Sequence, residues 1–146
     1  MNVNELSDQL SSWYGTGASG MAPTQEQWKA VLSRAPEKPL TLINFFKVRD
    51  VAAYSDLSDN VSGQEAFARY SAVSMPTMQR VGGSFLFVGP YGGTFLGDDE
   101  DWDLVAIGSY PNLQSFIDLY TDEGYRAVFP HRTAAVERQK VLICGE

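Results

Sequence analysis

Four stretches of this chain are apolar on both of their alternating sides, and they are interleaved with helix-patterned segments in the order strand, helix, strand, strand, helix, strand. In residues 40–48 (LTLINFFKV), Leu42, Phe46 and Val48 face one way and Ile43 and Phe45 the other. Residues 84–89 (SFLFVG) set Phe85 and Phe87 against Leu86 and Val88, and residues 102–110 (WDLVAIGSY) set Val105 and Ile107 against Leu104 and Ala106. Residues 140–144 (KVLIC) supply the last strand. An antiparallel sheet with one wet face alternates apolar and polar residues. Here both faces need cover, and each large side chain left wet forfeits about 1.5–3 kcal/mol. Two principal helical segments can roof only one face. The expected fold is therefore α+β, a ferredoxin-like βαββαβ antiparallel sheet. Its second face is expected to be shielded in a dimeric α/β barrel by another copy of the chain, or else by the N-terminal residues.

Those residues, 1–39, read as a helical extension to a domain at 40–146. Leu6, Leu10 and Trp13 recur at helical spacing, and the run from Gly15 to Gly20 breaks the pattern. Thr24 and Gln27 form a capping box for a second helix carrying Trp28, Val31 and Leu32. Pro36 and Pro39 end it. Inside the domain, residues 50–60 suggest a turn or short helix. Ser62 and Glu65 open a helix with Phe67, Tyr70, Ser74 and Met78 on one side, which Pro76 should kink or split and Gly82-Gly83 should end. Asn112 caps a stripe of Leu113, Phe116, Ile117 and Tyr120. A further helical stretch runs from Glu123 to about Gln139, with Pro130 marking a new first turn.

Composition narrows the function classes. A net charge of −7 with scattered lysines and arginines disfavours nucleic acid and anionic lipid as partners. One cysteine and one histidine exclude intramolecular disulfides and multi-cysteine or multi-histidine metal sites. No apolar run approaches the roughly 18 residues of a membrane span, and residues 1–10 lack a basic, apolar leader. The expectation is a cytoplasmic protein with no membrane partner, no cofactor and no metal. Gly15-x-Gly17-x-x-Gly20 matches a dinucleotide fingerprint only by letter, since it follows a helix rather than a strand. The acidic loop Asp98, Asp99, Glu100, Asp101, Asp103 mimics the start of a calcium loop but has Leu104 and Tyr110 where glycine and glutamate are wanted.

Residues 40–144 resemble the DUF1330 family of the dimeric α/β-barrel superfamily. The resemblance rests on Tyr54, Tyr70, Gly82-Gly83, Gly97, the segment YPNLQSF at 110–116 and EGYRAVFPHRTAA at 123–135, with Tyr125, Arg132 and Ala134 at its matching positions. It implies the fold and a homodimer rather than a particular activity.

Several side chains could carry chemistry, each with a plainer alternative. Arg132 offers a rigid fork for a carboxylate or enolate, and Tyr125 an aromatic wall with a hydroxyl. Arg132 could equally be tied to Asp103 or Glu65. His131 suits proton transfer near neutral pH but could bond locally at a helix start. Asp103, between Trp102 and Leu104, is either paired or facing a cavity. Asn44 shares a face with Leu42 and Phe46, so its amide must find a partner there, whether a ligand or the backbone. Tyr70 and Trp102 either pack in the core or line a pocket.

Two functions follow. One is a cofactor-independent enzyme for a small carbonyl- or carboxylate-bearing metabolite. In it Arg132 holds the anion, Asn44, Tyr70, Trp102 and Tyr125 line the cavity, and His131 or Asp103 moves the proton. The other is a non-catalytic homodimeric binding or interaction protein with a packed interior. An open pocket holding Arg132 and Tyr125 separates the first from the second, in which Arg132 is bound to an acid.

Overall fold

The alternation of buried and half-buried residues along β1 (Leu40–Val48) sets the layout of the molecule, whose computed structural model describes residues 1–145. β1 is central, flanked by β3 (Leu104–Tyr110) and β4 (Val136–Cys144), with β2 (Ser84–Pro90) beyond β3. The order β2-β3-β1-β4, antiparallel throughout, is the ferredoxin-like arrangement of an α+β domain. The expected barrel is not what forms. The sheet is open, its two outer strands β2 and β4 are free edges, and four strands fall well short of the about eight that enclose an interior.

Helices α3 (Gly63–Arg80), α4 (Leu113–Thr121) and α5 (Glu123–Ala135) lie on one side of the sheet. Each starts on a side chain that takes up an orphan N–H of the first turn: Ser62 on Glu65, Asn112 on Ser115, Asp122 on Tyr125. α3 runs through Pro76 without being split, and α5 runs through Pro130 without starting anew there as the sequence reading expects. Packing of the buried flanking residues Ser74, Met78, Phe129 and Arg132 outweighs the one lost backbone bond at each site. Residues 50–60 form turns closed by a single bridge between Val51 and Ser62, with no helix.

α1 (Val3–Tyr14) and α2 (Gln25–Leu32) pack on the helical side. The Tyr14 hydroxyl donates to the Tyr120 carbonyl at 2.6 Å, and the buried Trp28 ring meets Tyr120 edge-on at 5.3 Å. Gly15 to Gly20 is the linker between these two helices, and a Cβ on Gly17 would stand 2.6 Å from the Thr24 nitrogen at the start of α2. The extension therefore leaves the opposite sheet face uncovered. On that face Ile43, Phe45, Val105 and Ile107 are half-buried, while Phe87 and Leu142 are 49% and 40% exposed.

β2 departs from simple alternation. A β-bulge between Phe85 and Phe87 pairs Phe85 with Gly108, Phe87 with Ile107 and Val88 with Ala106. Phe85 and Val88 thus share the inner face, and Phe87 lies on the outer one, because one extra residue inverts the parity of everything after it.

Candidate functional site

Between the inner sheet face and the helices lies a cavity of about 80 Å³. β1 contributes Leu42, Asn44 and Phe46 to its floor, and β3 contributes Ala106 and Gly108, which pair with Asn44 and Leu42. Two small residues in succession on one strand face leave the space. α3 lowers Tyr70, Ser74 and Met78 onto it at four-residue spacing, and α5 adds Tyr125 and Arg132, two turns apart.

Arg132 is 5% exposed. Its Nε and Nη2 donate to Gln139 Oε1 at 3.0 and 2.8 Å, and Nη1 donates to the Tyr70 hydroxyl at 3.1 Å. The Tyr70 and Tyr125 hydroxyls are 2.7 Å apart. Phe46 and Phe129 place their rings 4.8 and 5.2 Å from the guanidinium carbon. Among the described residues no carboxylate lies within ion-pair distance. Both acids considered as partners point elsewhere: Glu65 is exposed, and Asp103 is engaged by Lys47 and a backbone N–H. Burial works to lower the Arg132 pKa, but the hydroxyls of Tyr70, Tyr125 and Tyr120 more than offset it, so the group stays cationic. Burial also pushes the Tyr125 and Tyr120 phenols above their ordinary range, keeping them neutral. The site is a caged cation surrounded by neutral oxygens.

The cavity thus brings together Asn44, Tyr70, Tyr125 and Arg132. Asn44 donates through Nδ2 to the Ala106 carbonyl at 3.0 Å, which answers half of its amide. The other sequence candidates stand elsewhere. His131 Nδ1 is 2.7 Å from the Tyr54 hydroxyl, and neither residue lines the cavity. Trp102 lies against outer-face Phe45, under the Arg138 guanidinium, and donates to Glu100 at 2.9 Å. Asp103 precedes β3, accepting from the Val48 N–H at 2.8 Å and from Lys47 at 3.4 Å beside an open groove. The acidic loop is held by Lys47 on Asp101 and Lys140 on Glu100, and among the described residues no group of three His, Cys, Asp or Glu could hold a metal ion.

Gln139 is the site residue that sequence reasoning missed. Helical patterning runs on to about Gln139, whereas β4 begins at Val136 and pairs Gln139 with Phe46. A polar residue on the inner face of a strand, opposite an arginine, is the signal that could have found it.

Residues 42–146 match the family model described as a domain of unknown function, DUF1330. The chain belongs to the DUF1330 family. It is similar to RPA0582 of Rhodopseudomonas palustris, a protein of unknown function, with 31% identity over 86% of this chain and 95% of that one at a TM-score of 0.78. The methylated form of RPA0582 gives 32% identity over 86% and 93% at a TM-score of 0.79. A dimeric protein of unknown function with a ferredoxin-like fold from Bacteroides fragilis shares 14% identity over 74% of this chain and 96% of its own. Its TM-score of 0.42 is too low to bear on the argument. No functionally curated protein matches the chain. Among the described residues no helix is long and apolar enough to cross a membrane.

Proposed function

We propose that this DUF1330 protein binds a small organic anion in the cavity beneath α3 and α5, with Arg132 as the counter-ion. One observation carries the reading: a buried guanidinium hydrogen-bonded to neutral groups, Tyr70 and Gln139, at the wall of a partly open cavity. Removing a cation from water without a countercharge costs several kcal/mol, and an anionic ligand would repay it. A guanidinium carries five N–H groups, and three hydrogen bonds leave donor capacity for a ligand carboxylate. The site suits binding better than proton transfer. The titratable groups that line it besides Arg132 are tyrosines, and burial raises the phenols of Tyr110, Tyr120 and Tyr125. A cofactor-independent reaction there would have to use those hydroxyls, with His131 and Asp103 acting only if the protein rearranged.

The partner proposed for the outer sheet face is a second copy of the chain. Support comes from the uncovered row Ile43, Val105, Ile107, Phe87 and Leu142, which the N-terminal helices do not reach. Native mass spectrometry of the protein isolated from the organism that makes it tests both statements at once. The expected species is two chains retaining a small organic acid, and Arg132→Met should keep the two chains and lose the acid. A single chain would refute the partner, and an acid still retained by Arg132→Met would refute the site.

A further inference from the structure

We propose that the ligand is a short monocarboxylate of two or three carbons, its length set by Ala106 and Gly108; this rests on the reading of Arg132 as the anion receptor. Three observations converge on that class. The first is charge. Among the described residues Arg132 is the only cation lining the cavity, so it neutralises one negative charge. A dicarboxylate or phosphate would carry a second charge into a space walled by Leu42, Phe46, Tyr70 and Met78, where nothing balances it.

The second is size. An apolar cavity of about 150 Å³ accommodates benzene, with roughly six heavy atoms. At about 80 Å³ the present cavity is little more than half as large. The same filling allows roughly three heavy atoms, so acetate fills the space and propionate fits only by extending toward the open side at Met75 and Val88.

The third is the way the walls are graded. Tyr125 and Arg132 are almost wholly buried, whereas Met75 and Val88, also on the lining, are 39% and 45% exposed. The charged end therefore sits deep, and the hydrocarbon end lies over β3, at Ala106 and Gly108. These two positions fix the room available. The Ala106 methyl faces the space next to Asn44, and a Cβ on Gly108 would come within 3.0 Å of the Met78 methyl. Larger side chains at either position would occupy the volume the ligand needs.

Calorimetric titration of the full chain with acetate, propionate, propionamide, malonate and benzoate tests this. Propionate should bind about fourfold more tightly than acetate, the gain from burying one methylene. Malonate and benzoate should bind at least roughly tenfold more weakly than propionate, the first for its second charge and the second for its ring. Ala106→Val should erase the advantage of propionate over acetate while leaving acetate within about threefold of wild type, because its added methyls fill only the hydrocarbon end. Gly108→Ala provides the same test should Ala106→Val fail to fold, since the flexible Met78 tip can yield. Benzoate or malonate binding as tightly as propionate would overturn the size and charge limits while leaving Arg132 as the receptor. Propionamide binding as tightly as propionate would remove the receptor reading itself, and the ligand class with it.

Discussion

Tyr70 stands between two groups that have few other options. Its hydroxyl accepts from Arg132 Nη1 and shares a hydrogen with the Tyr125 hydroxyl, all three side chains being buried. Tyr70→Phe should therefore leave two buried polar groups short of a partner and cost about 1–3 kcal/mol. Tyr125→Phe leaves the Tyr70 hydroxyl its bond to Arg132 and should cost about 0.5–1.5 kcal/mol. Urea unfolding of the two variants checks the ranking, and equal losses would mean that Tyr70 does not bridge. Asn44 and Tyr70 can be read as inward-facing from strand alternation and helical spacing, whereas Tyr125 and Arg132 stand out through the family resemblance and their chemistry. Gln139 was not legible, since helix propensity carried through residues 136–139 and hid that the chain had already turned into the sheet. Sequence pattern places Trp102 and Asp103 inside the strand at residues 102–110. They sit just before β3, where the backbone bends and Asp103 closes on the Val48 N–H.

Asp122 joins two helices. It ends α4 and caps α5 through the Tyr125 N–H at 2.8 Å, while Arg80 at the end of α3 pairs with its other oxygen at 2.8 Å. Burial works to raise its pKa, but the Arg80 bond and the Tyr125 N–H overcome this and hold the carboxyl below the ordinary aspartate value. A depressed folded-state pKa contributes stability that is present above the unfolded value and is lost as pH falls through the folded one. Asp122→Asn keeps the cap but removes the charge. It should be less stable than wild type by about 0.5–1 kcal/mol near pH 7, and the difference should vanish near pH 2. Unfolding free energies at the two pH values decide it, and a gap that persists in acid would exclude the charge as the cause. Capping residues were readable for α2, α3 and α4, where Thr24, Ser62 and Asn112 supply an oxygen for N–H groups that lack partners, but Asn2 and Asp122 at the starts of α1 and α5 were not. The β2 bulge was not, since one inserted residue leaves the composition unchanged while exchanging the faces of Phe87 and Val88.

The two sides of the sheet have different fates. On the helical side, α1 and α2 extend the cover over α4 and α5, and Met21 touches Gln139 from the linker between them, so the extension backs the arginine site. On the other side, the apolar row that made the sequence distinctive stays open within the chain. Apart from Phe87, which the bulge moves to this face, that row was legible from alternation alone. Barrel closure did not follow from it, because an apolar face calls for cover but does not specify its shape, and the strands end in two free edges. The arginine caged by neutral groups is what gives this architecture a use, because the fold retains an uncompensated charge where hydrophobic packing would serve stability as well. Thermal unfolding in propionate, set against chloride at equal ionic strength, exposes that debt. At tenfold excess over its dissociation constant, propionate should stabilise the wild type by about 1.4 kcal/mol and raise its Tm, while Arg132→Met should show no shift. Equal shifts in both proteins, or none in the wild type at saturating propionate, would contradict the assignment of Arg132 as an anion receptor.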